Sequence, residues 1–288
     1  MICRTIQTAN MLKIGSYNEL VVERKVDFGF YLNPKSDEVL LPMKYAPKLT
    51  KPGDTLRVFV YTDSEDRPVA TTQAPKAVVG QCAFLEMNDH ASFGVFMDWG
   101  LEKDLLVPRR EQRPGMQKGR KYVVKVCLDQ RTQRVYGTTK IASNCVTASN
   151  DLGVGQQVDL LVYKTTKVGY IAVVDDRYSG MLYKDQVFEH LGVGDRRKAY
   201  INQIRDDGKI DLALKKPGYR SMSASGQNIM AVLKGAGGFI PCHDKSTPAE
   251  IKKTFALSKK EFKRTIGGLY KAGKIEIKPN GIHLKKEG

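Results

Sequence analysis

Over the first three quarters of the chain, apolar and polar positions alternate in short runs, the period of a half-buried strand. The first series is Leu20-Val21-Val22, Phe28 to Leu32, Val39 to Leu41, Leu56 to Tyr61 and Val69-Ala70-Thr71. A Gly53-Asp54 turn precedes its longest run, and a charged hairpin, Asp63 to Pro68, follows it. The same succession returns twice, about 70 residues apart, from Val78-Val79-Gly80 to Thr138 and from Gly155 to Leu214. Five short strands with glycine turns, repeated three times, predict three Greek-key barrels of the OB type, each closed to leave few exposed edges. The linkers, 72–77 and 141–152, are short, so the barrels are expected to form a semi-rigid row.

After Pro217-Gly218 the period becomes helical. A first helix is expected from Ser223 to Leu233. Thr247-Pro248-Ala249-Glu250 and Ser258-Lys259-Lys260-Glu261 have the form of capping boxes that open a second and a third helix. In the third, Phe262, Ile266, Leu269 and Tyr270 share one apolar face, and Gly273 supplies a stop. Ile275 to Lys285, turning at Pro279-Asn280-Gly281, reads as a terminal hairpin. Three helices and a hairpin make a winged helix. The fold class is therefore mainly β: barrels at 1–75, 76–145 and 146–216, then an α+β winged helix domain at 217–288.

Charge changes this picture. The net charge is +16, which suits an anionic partner, and it is unevenly spread. Residues 1–75 and 146–215 carry +1 and 0, whereas residues 76–145 carry +5 and residues 216–288 carry +10. On the third helix Lys260, Arg264 and Lys271 fall opposite the apolar face, where such a fold meets phosphates or a groove. The alternative is a solvated lysine face.

Candidate chemistry centres on Phe93-Gly94-Val95-Phe96. Strict alternation puts Phe93 and Phe96 on opposite faces, and a bulge at Gly94 would bring both outside as a stacking platform for bases. The competing reading makes one or both rings ordinary core. Other chemistries lack support. Four histidines have no ligand spacing, and Cys242-His243-Asp244 is contiguous, so no metal or cofactor is expected. Lys234-Gly235-Ala236-Gly237-Gly238 lacks the strand that a phosphate loop follows. Asp175-Asp176 and Asp206-Asp207 read as turns rather than a nuclease centre. Cys127 reads as packing. Five scattered cysteines (Cys3, Cys82, Cys127, Cys145, Cys242), no long apolar run and no signal-like start predict a cytoplasmic protein without a membrane partner.

The Phe93-Gly94-x-Phe96 strand, followed by Leu105-Leu106-Val107, resembles an S1 RNA-binding domain. Three S1-like modules followed by a winged helix resemble the conserved virulence factor B family of bacterial RNA-binding proteins over essentially the whole chain. The resemblance implies an RNA face made of the two aromatics, a histidine of the next strand, and an Asp and an Arg around the last hairpin. In the second module these positions are Phe93, Phe96, Asp129 and Arg134, and in the first Phe28, Tyr31, Asp63 and Arg67. Pro42 and Pro108 replace the histidine there. In the third, Val168 and Ile171 stand at the aromatic positions, Tyr183 stands where the histidine would be, and Tyr170 is nearby.

The expected function is non-enzymatic binding of single-stranded RNA, as a post-transcriptional or translation-associated regulator, with the second module as main reader. The alternatives are a DNA-binding transcription regulator led by the winged helix, a metal-dependent ribonuclease, and a scaffold on the ribosome or another ribonucleoprotein.

Overall fold

A computed structural model describes residues 12–33, 38–148, 151–187, 189–216 and 224–285. Cys3, Pro217-Gly218 and the expected helix start at Ser223 lie outside them. The chain divides into two compact units, 1–217 and 218–288.

The first unit holds the three barrels. In the first, β1 (Ser16–Val26), β2 (Gly29–Leu32), β3 (Val39–Pro42), β4 (Thr55–Thr62) and β5 (Pro68–Thr71) close in the order β1-β2-β3-β5-β4. The second contains β6 (Cys82–Ala91), β7 (Gly94–Asp98), β8 (Leu105–Pro108), β9 (Lys121–Leu128) and β10 (Val135–Thr138). The third, β11 (Gln157–Thr165), β12 (Gly169–Val174), β13 (Tyr178–Tyr183), β14 (Arg196–Ile204) and β15 (Ile210–Ala213), repeats the first barrel's closed order. Closure rests on a parallel pair, Leu40 with Val69 in one and Gly180 to Leu182 with Ile210 to Leu212 in the other.

The second module keeps the same cyclic strand order, β10-β9-β6-β7-β8, and Gly137 of β10 packs against Val107 and Leu105 of β8, but no backbone ladder joins β8 to β10. The 3-10 turn Arg109–Glu111 bridges one end of that seam instead. The Glu111 backbone carbonyl accepts from the Thr139 N–H at 3.0 Å, its carboxylate accepts from the Thr138 hydroxyl at 2.8 Å, and Gln112 Nε2 donates to the Val107 carbonyl at 2.9 Å.

The barrels are fused by burial. Phe59 and Tyr61 on β4 share one hydrophobic cluster with Trp99, Leu85 and Met97 of the second barrel. The Trp99 ring meets that of Phe59 edge-on at 5.7 Å, and its Nε1 donates to the Lys103 carbonyl at 2.6 Å. The Lys103 ammonium reaches back to the carbonyls of Thr62 and Asp63, both at 2.8 Å, and loss of water there lowers its pKa. Between the second and third barrels, Cys82, Val123 and Ile141 pack on Leu161 and Val173. Asp176 accepts from the Cys82 N–H at 2.8 Å, and Lys125 donates to the carbonyls of Asn144 (2.8 Å) and Asp176 (3.0 Å). Burial pushes the Cys82 thiol up to about 12, so it stays protonated packing.

In the second unit, α1 (Ala224–Gly235), α2 (Pro248–Phe255) and α3 (Lys259–Lys271) pack on a sheet ordered β16-β18-β17, where β16 is Phe239–Ile240, β17 Ile275–Lys278 and β18 Gly281–Leu284. The third strand, β16, was not predicted: two residues are too few to show a period. The Thr247 capping box is complete. The Ser258 box is half-formed. Its hydroxyl accepts from the Glu261 N–H at 3.2 Å, but the Glu261 carboxylate turns to the Ser225 hydroxyl on α1 at 2.5 Å. Gly273 ends α3 at φ 66, with its N–H on the Tyr270 carbonyl at 2.9 Å. Phe262, Ile266 and Leu269 are buried as expected, but Tyr270 is 57 % exposed and Thr265 takes its place. At 100° per residue Tyr270 stands roughly 80° from Phe262, at the edge of the stripe.

Trp99 serves two barrels at once. Its change to Ala is expected to cost about 3–5 kcal/mol in urea denaturation; a loss below about 1 kcal/mol would show that the shared core is not cooperative.

Candidate nucleic-acid interface

The two rings of the second barrel come together on its outer wall, though not by the route expected. No bulge lies at Gly94. The pairing of β6 with β7 slips by one residue on β6 instead, between Met87 and Asp89, and β7 itself is regular. Phe93 escapes alternation because it belongs to the hairpin turn, one residue before β7 begins. It is 58 % exposed, Phe96 is half-buried, and their centroids lie 6.0 Å apart with the rings perpendicular. The competing reading, rings in the core, does not hold for Phe93.

Gly94 is what allows this turn. A Cβ there would stand 2.7 Å from the Val107 carbonyl oxygen on β8, too close for any side chain. Gly29 and Gly169 make the same approach in the other barrels, at 2.3 Å from the Leu41 and 2.0 Å from the Leu182 carbonyl oxygen.

Phe93 and Phe96 open into a groove of about 500 Å³ between the first and second barrels. Asp129, Arg134, Lys103, Arg110 and Tyr136 line it from the second barrel, and Tyr61, Ser64 and Asp66 from the first. Residues of β8 and β10, the two strands that no ladder joins, form part of its wall. The four residues predicted for the second module thus share one concavity. Their roles differ, however. Asp129 is a turn residue: its carboxylate accepts from the N–H groups of Arg131 (2.9 Å) and Thr132 (3.2 Å), which hold its pKa low. Arg134 reaches across the groove into an ion pair with Asp66, whose pKa that guanidinium lowers. Asp66, Lys103 and Tyr136 were not singled out from the sequence. Their meeting depends on the angle between barrels, for which no local pattern exists.

The first barrel repeats the ring pair. Phe28 is 58 % exposed and meets half-buried Tyr31 at 6.4 Å and 81°. One face of Tyr31 is occupied by the Arg24 guanidinium, 4.0 Å from the centroid and paired with Glu38 at 3.0 Å. Asp63 and Arg67 bond to each other, at 2.9 and 2.8 Å. Burial alone would raise the Asp63 pKa, but the Arg67 side chain and two backbone N–H groups outweigh it and hold the carboxyl low.

The third barrel has no such pair. Val168 stands 59 % exposed in the position of Phe93. Tyr170 is half-buried against the barrel core. Tyr183 accepts from Arg205, which is also paired with Asp211 at 2.6 Å. Neither tyrosine makes a ring–ring contact among the described residues, so the structure does not bring them together as a platform.

On α3, Lys260, Arg264 and Lys271 are exposed on one face, joined by Lys263. Among the described residues no carboxylate lies within ion-pair distance of these four. Gly267 and Gly268 interrupt the face with nothing within 4 Å of a built Cβ, leaving bare backbone between the cations. The described residues contain no group of three metal-ligating side chains close enough to hold an ion, and no helix long and apolar enough to cross a membrane.

Residues 227–284 match the CvfB-like winged helix domain, and residues 14–73 match the S1 domain. The resemblance to the conserved virulence factor B family holds. The chain is 29 % identical over 284 residues to the uncharacterized protein YitL of Bacillus subtilis, covering 96 % of this chain and 95 % of that one. It is 26 % identical over 244 residues to conserved virulence factor B of Staphylococcus epidermidis, covering 82 % of each. A Streptococcus pneumoniae crystal structure described as a multidomain protein with nucleic acid binding domains aligns over 94 % of this chain and 98 % of its own, at 24 % identity and TM-score 0.42. The S1 match falls on the first barrel, while the ring pair without a covering guanidinium lies on the second.

Gly94→Ala should destabilise the second barrel by about 1–3 kcal/mol, because the Val107 backbone carbonyl, and not only the flexible Leu106 side chain, blocks the methyl group. Thermal denaturation measures it, and an unchanged midpoint would mean that β8 yields freely.

Proposed function

We propose that this protein binds single-stranded RNA without cleaving it, in the cytoplasm, as a post-transcriptional or translation-associated regulator. The observation that carries the reading is exposed Phe93 beside half-buried Phe96 at the mouth of a groove that also holds Arg110 and Arg134. Unpaired bases present π-faces to such rings, whereas a duplex hides them. The match of an S1 domain and the positive charge of the second barrel support the same partner. The four described cysteines are free thiols, which suits a reducing compartment.

Binding without cleavage is supported by how the paired carboxylates are used. Asp175 accepts from the Asp159 N–H at 2.8 Å, Asp176 holds Cys82, and Asp207 pairs with Lys209 at 2.7 Å. Labelled RNA incubated with Mg²⁺ or Mn²⁺ should remain intact; fragments would return the ribonuclease reading.

A second reading, duplex DNA held by α3, draws on the four cations there without carboxylate partners. Competition between duplex DNA and single-stranded RNA for the labelled protein separates the two, and displacement of RNA by duplex at lower concentration would favour DNA. A scaffold role on a ribonucleoprotein would show as pull-down that survives nuclease treatment.

Stacking is worth about 1–3 kcal/mol per base. Phe93→Ala with Phe96→Ala should therefore weaken RNA binding at least ~10-fold in filter-binding titrations, and an unchanged affinity would remove the platform from the site. Changing Lys260, Arg264 and Lys271 to Gln should lower the slope of log affinity against log salt by about 2, at 0.7 per phosphate contact. An unchanged slope would make that face a solvated one.

A further inference from the structure

The second barrel's excess charge sits almost wholly in one loop. Residues 109–121 hold six cations (Arg109, Arg110, Arg113, Lys118, Arg120, Lys121) and one carboxylate, Glu111, a difference equal to the +5 of the whole module. The loop is not a loose tail. The Arg113 N–H donates to the Thr139 hydroxyl at 2.6 Å, the Gln117 N–H to the Tyr122 hydroxyl at 2.8 Å, and the Gly119 N–H to the Met87 carbonyl at 2.8 Å.

It is also pinned to the aromatic turn, because the Arg109 N–H donates to the Phe93 carbonyl at 2.9 Å. The 3-10 turn that starts there sends its first two arginines apart. Arg110 lines the groove that holds Phe93 and Phe96. Arg109 lines a second cleft, of about 820 Å³, on the other side of the Phe93 turn, with Arg113, Lys118, Ser92, Gln112 and Gln117. No carboxylate lines this cleft. Of its cations Lys118 pairs with Asp89 at 3.5 Å, and both of those side chains are exposed. Exposed pairs of this kind exchange readily for a phosphate.

We propose that this cleft is a backbone-binding site in which Arg109, Arg113 and Lys118 hold the phosphates of the same RNA strand whose bases stack on Phe93 and Phe96. The proposal rests on the RNA-binding reading above and adds a path: the strand leaves the rings, crosses the Phe93 turn and continues along the loop. The rings contact bases and the loop contacts only phosphates, so the cleft adds affinity and salt dependence without sequence preference.

The test uses the full chain with Arg109→Gln, Arg113→Gln and Lys118→Gln combined, its folding checked by thermal denaturation. A control removes three cations from the first barrel, Lys13→Gln, Lys48→Gln and Lys51→Gln. Each protein is titrated with oligouridylates of about 4 and about 16 nucleotides, the range of site sizes for one such barrel. The expected result is a loss of at least ~10-fold for the long oligomer at low salt, a salt slope lower by about 2, and less than ~2-fold change for the short one. The control should follow the wild type. Equal losses at both lengths, or a control that loses as much, would show only a diffuse field and overturn the path. No loss at either length overturns the site while leaving RNA binding in place. A wild-type chain that binds neither oligomer defeats the underlying reading as well.

Discussion

The α-carbon of Gly94 lies so close to the carbonyl of Val107 that no side chain fits between them. That contact draws the start of β7 hard against β8 and leaves the preceding residue, Phe93, in the turn, outside the alternation of the strand. Its ring faces solvent, and its carbonyl becomes the acceptor that anchors Arg109. The aromatic pair, the groove on one side of the turn and the cleft on the other all depend on this approach. Gly29 and Gly169 show that the geometry belongs to the module. What varies among the copies is the residue that the turn presents: Phe28, Phe93 or Val168.

A ring on a barrel wall is a small feature, and burial elsewhere makes it part of a larger one. Trp99 and Phe59 sit in one core that belongs to two barrels, with Lys103 bonded across the junction. The hairpin of the first barrel is thereby fixed as the far wall of the second barrel's groove. Arg134 illustrates the consequence. By its position in the module it stands beside the platform, yet in the free protein its charge is satisfied by Asp66 of the neighbouring barrel. An incoming phosphate must exchange with that carboxylate, in an exposed place where the pair itself is weak.

The repeats have diverged in chemistry while keeping their backbone. The first barrel covers a face of Tyr31 with Arg24 and pairs Asp63 with Arg67, and the third ties Tyr183 to Arg205 and Asp211. Both are near electrical neutrality. The second barrel and the last domain hold nearly all the excess positive charge, so long-range attraction of a polyanion is concentrated there.

Much of this organisation was legible in the sequence. Period-two alternation and its threefold return gave the strands and their number, because pleating forces successive side chains to opposite faces. The Thr247 cap and the Gly273 stop were readable because they satisfy backbone groups a few residues away. Short-range rules failed wherever the partner was distant. No local distortion at Gly94 is needed, because the turn and the neighbouring strand place the Phe93 ring outside. Glu261 left its capping box for a serine on another helix, and β16 was too short to carry a period. Tertiary structure alone decided that no backbone ladder joins β8 to β10, that Asp66 faces Arg134, and that Arg109 and Arg110 line different hollows beside Phe93. These outcomes depend on angles between barrels and on contacts far apart in the chain, which periodicity does not encode.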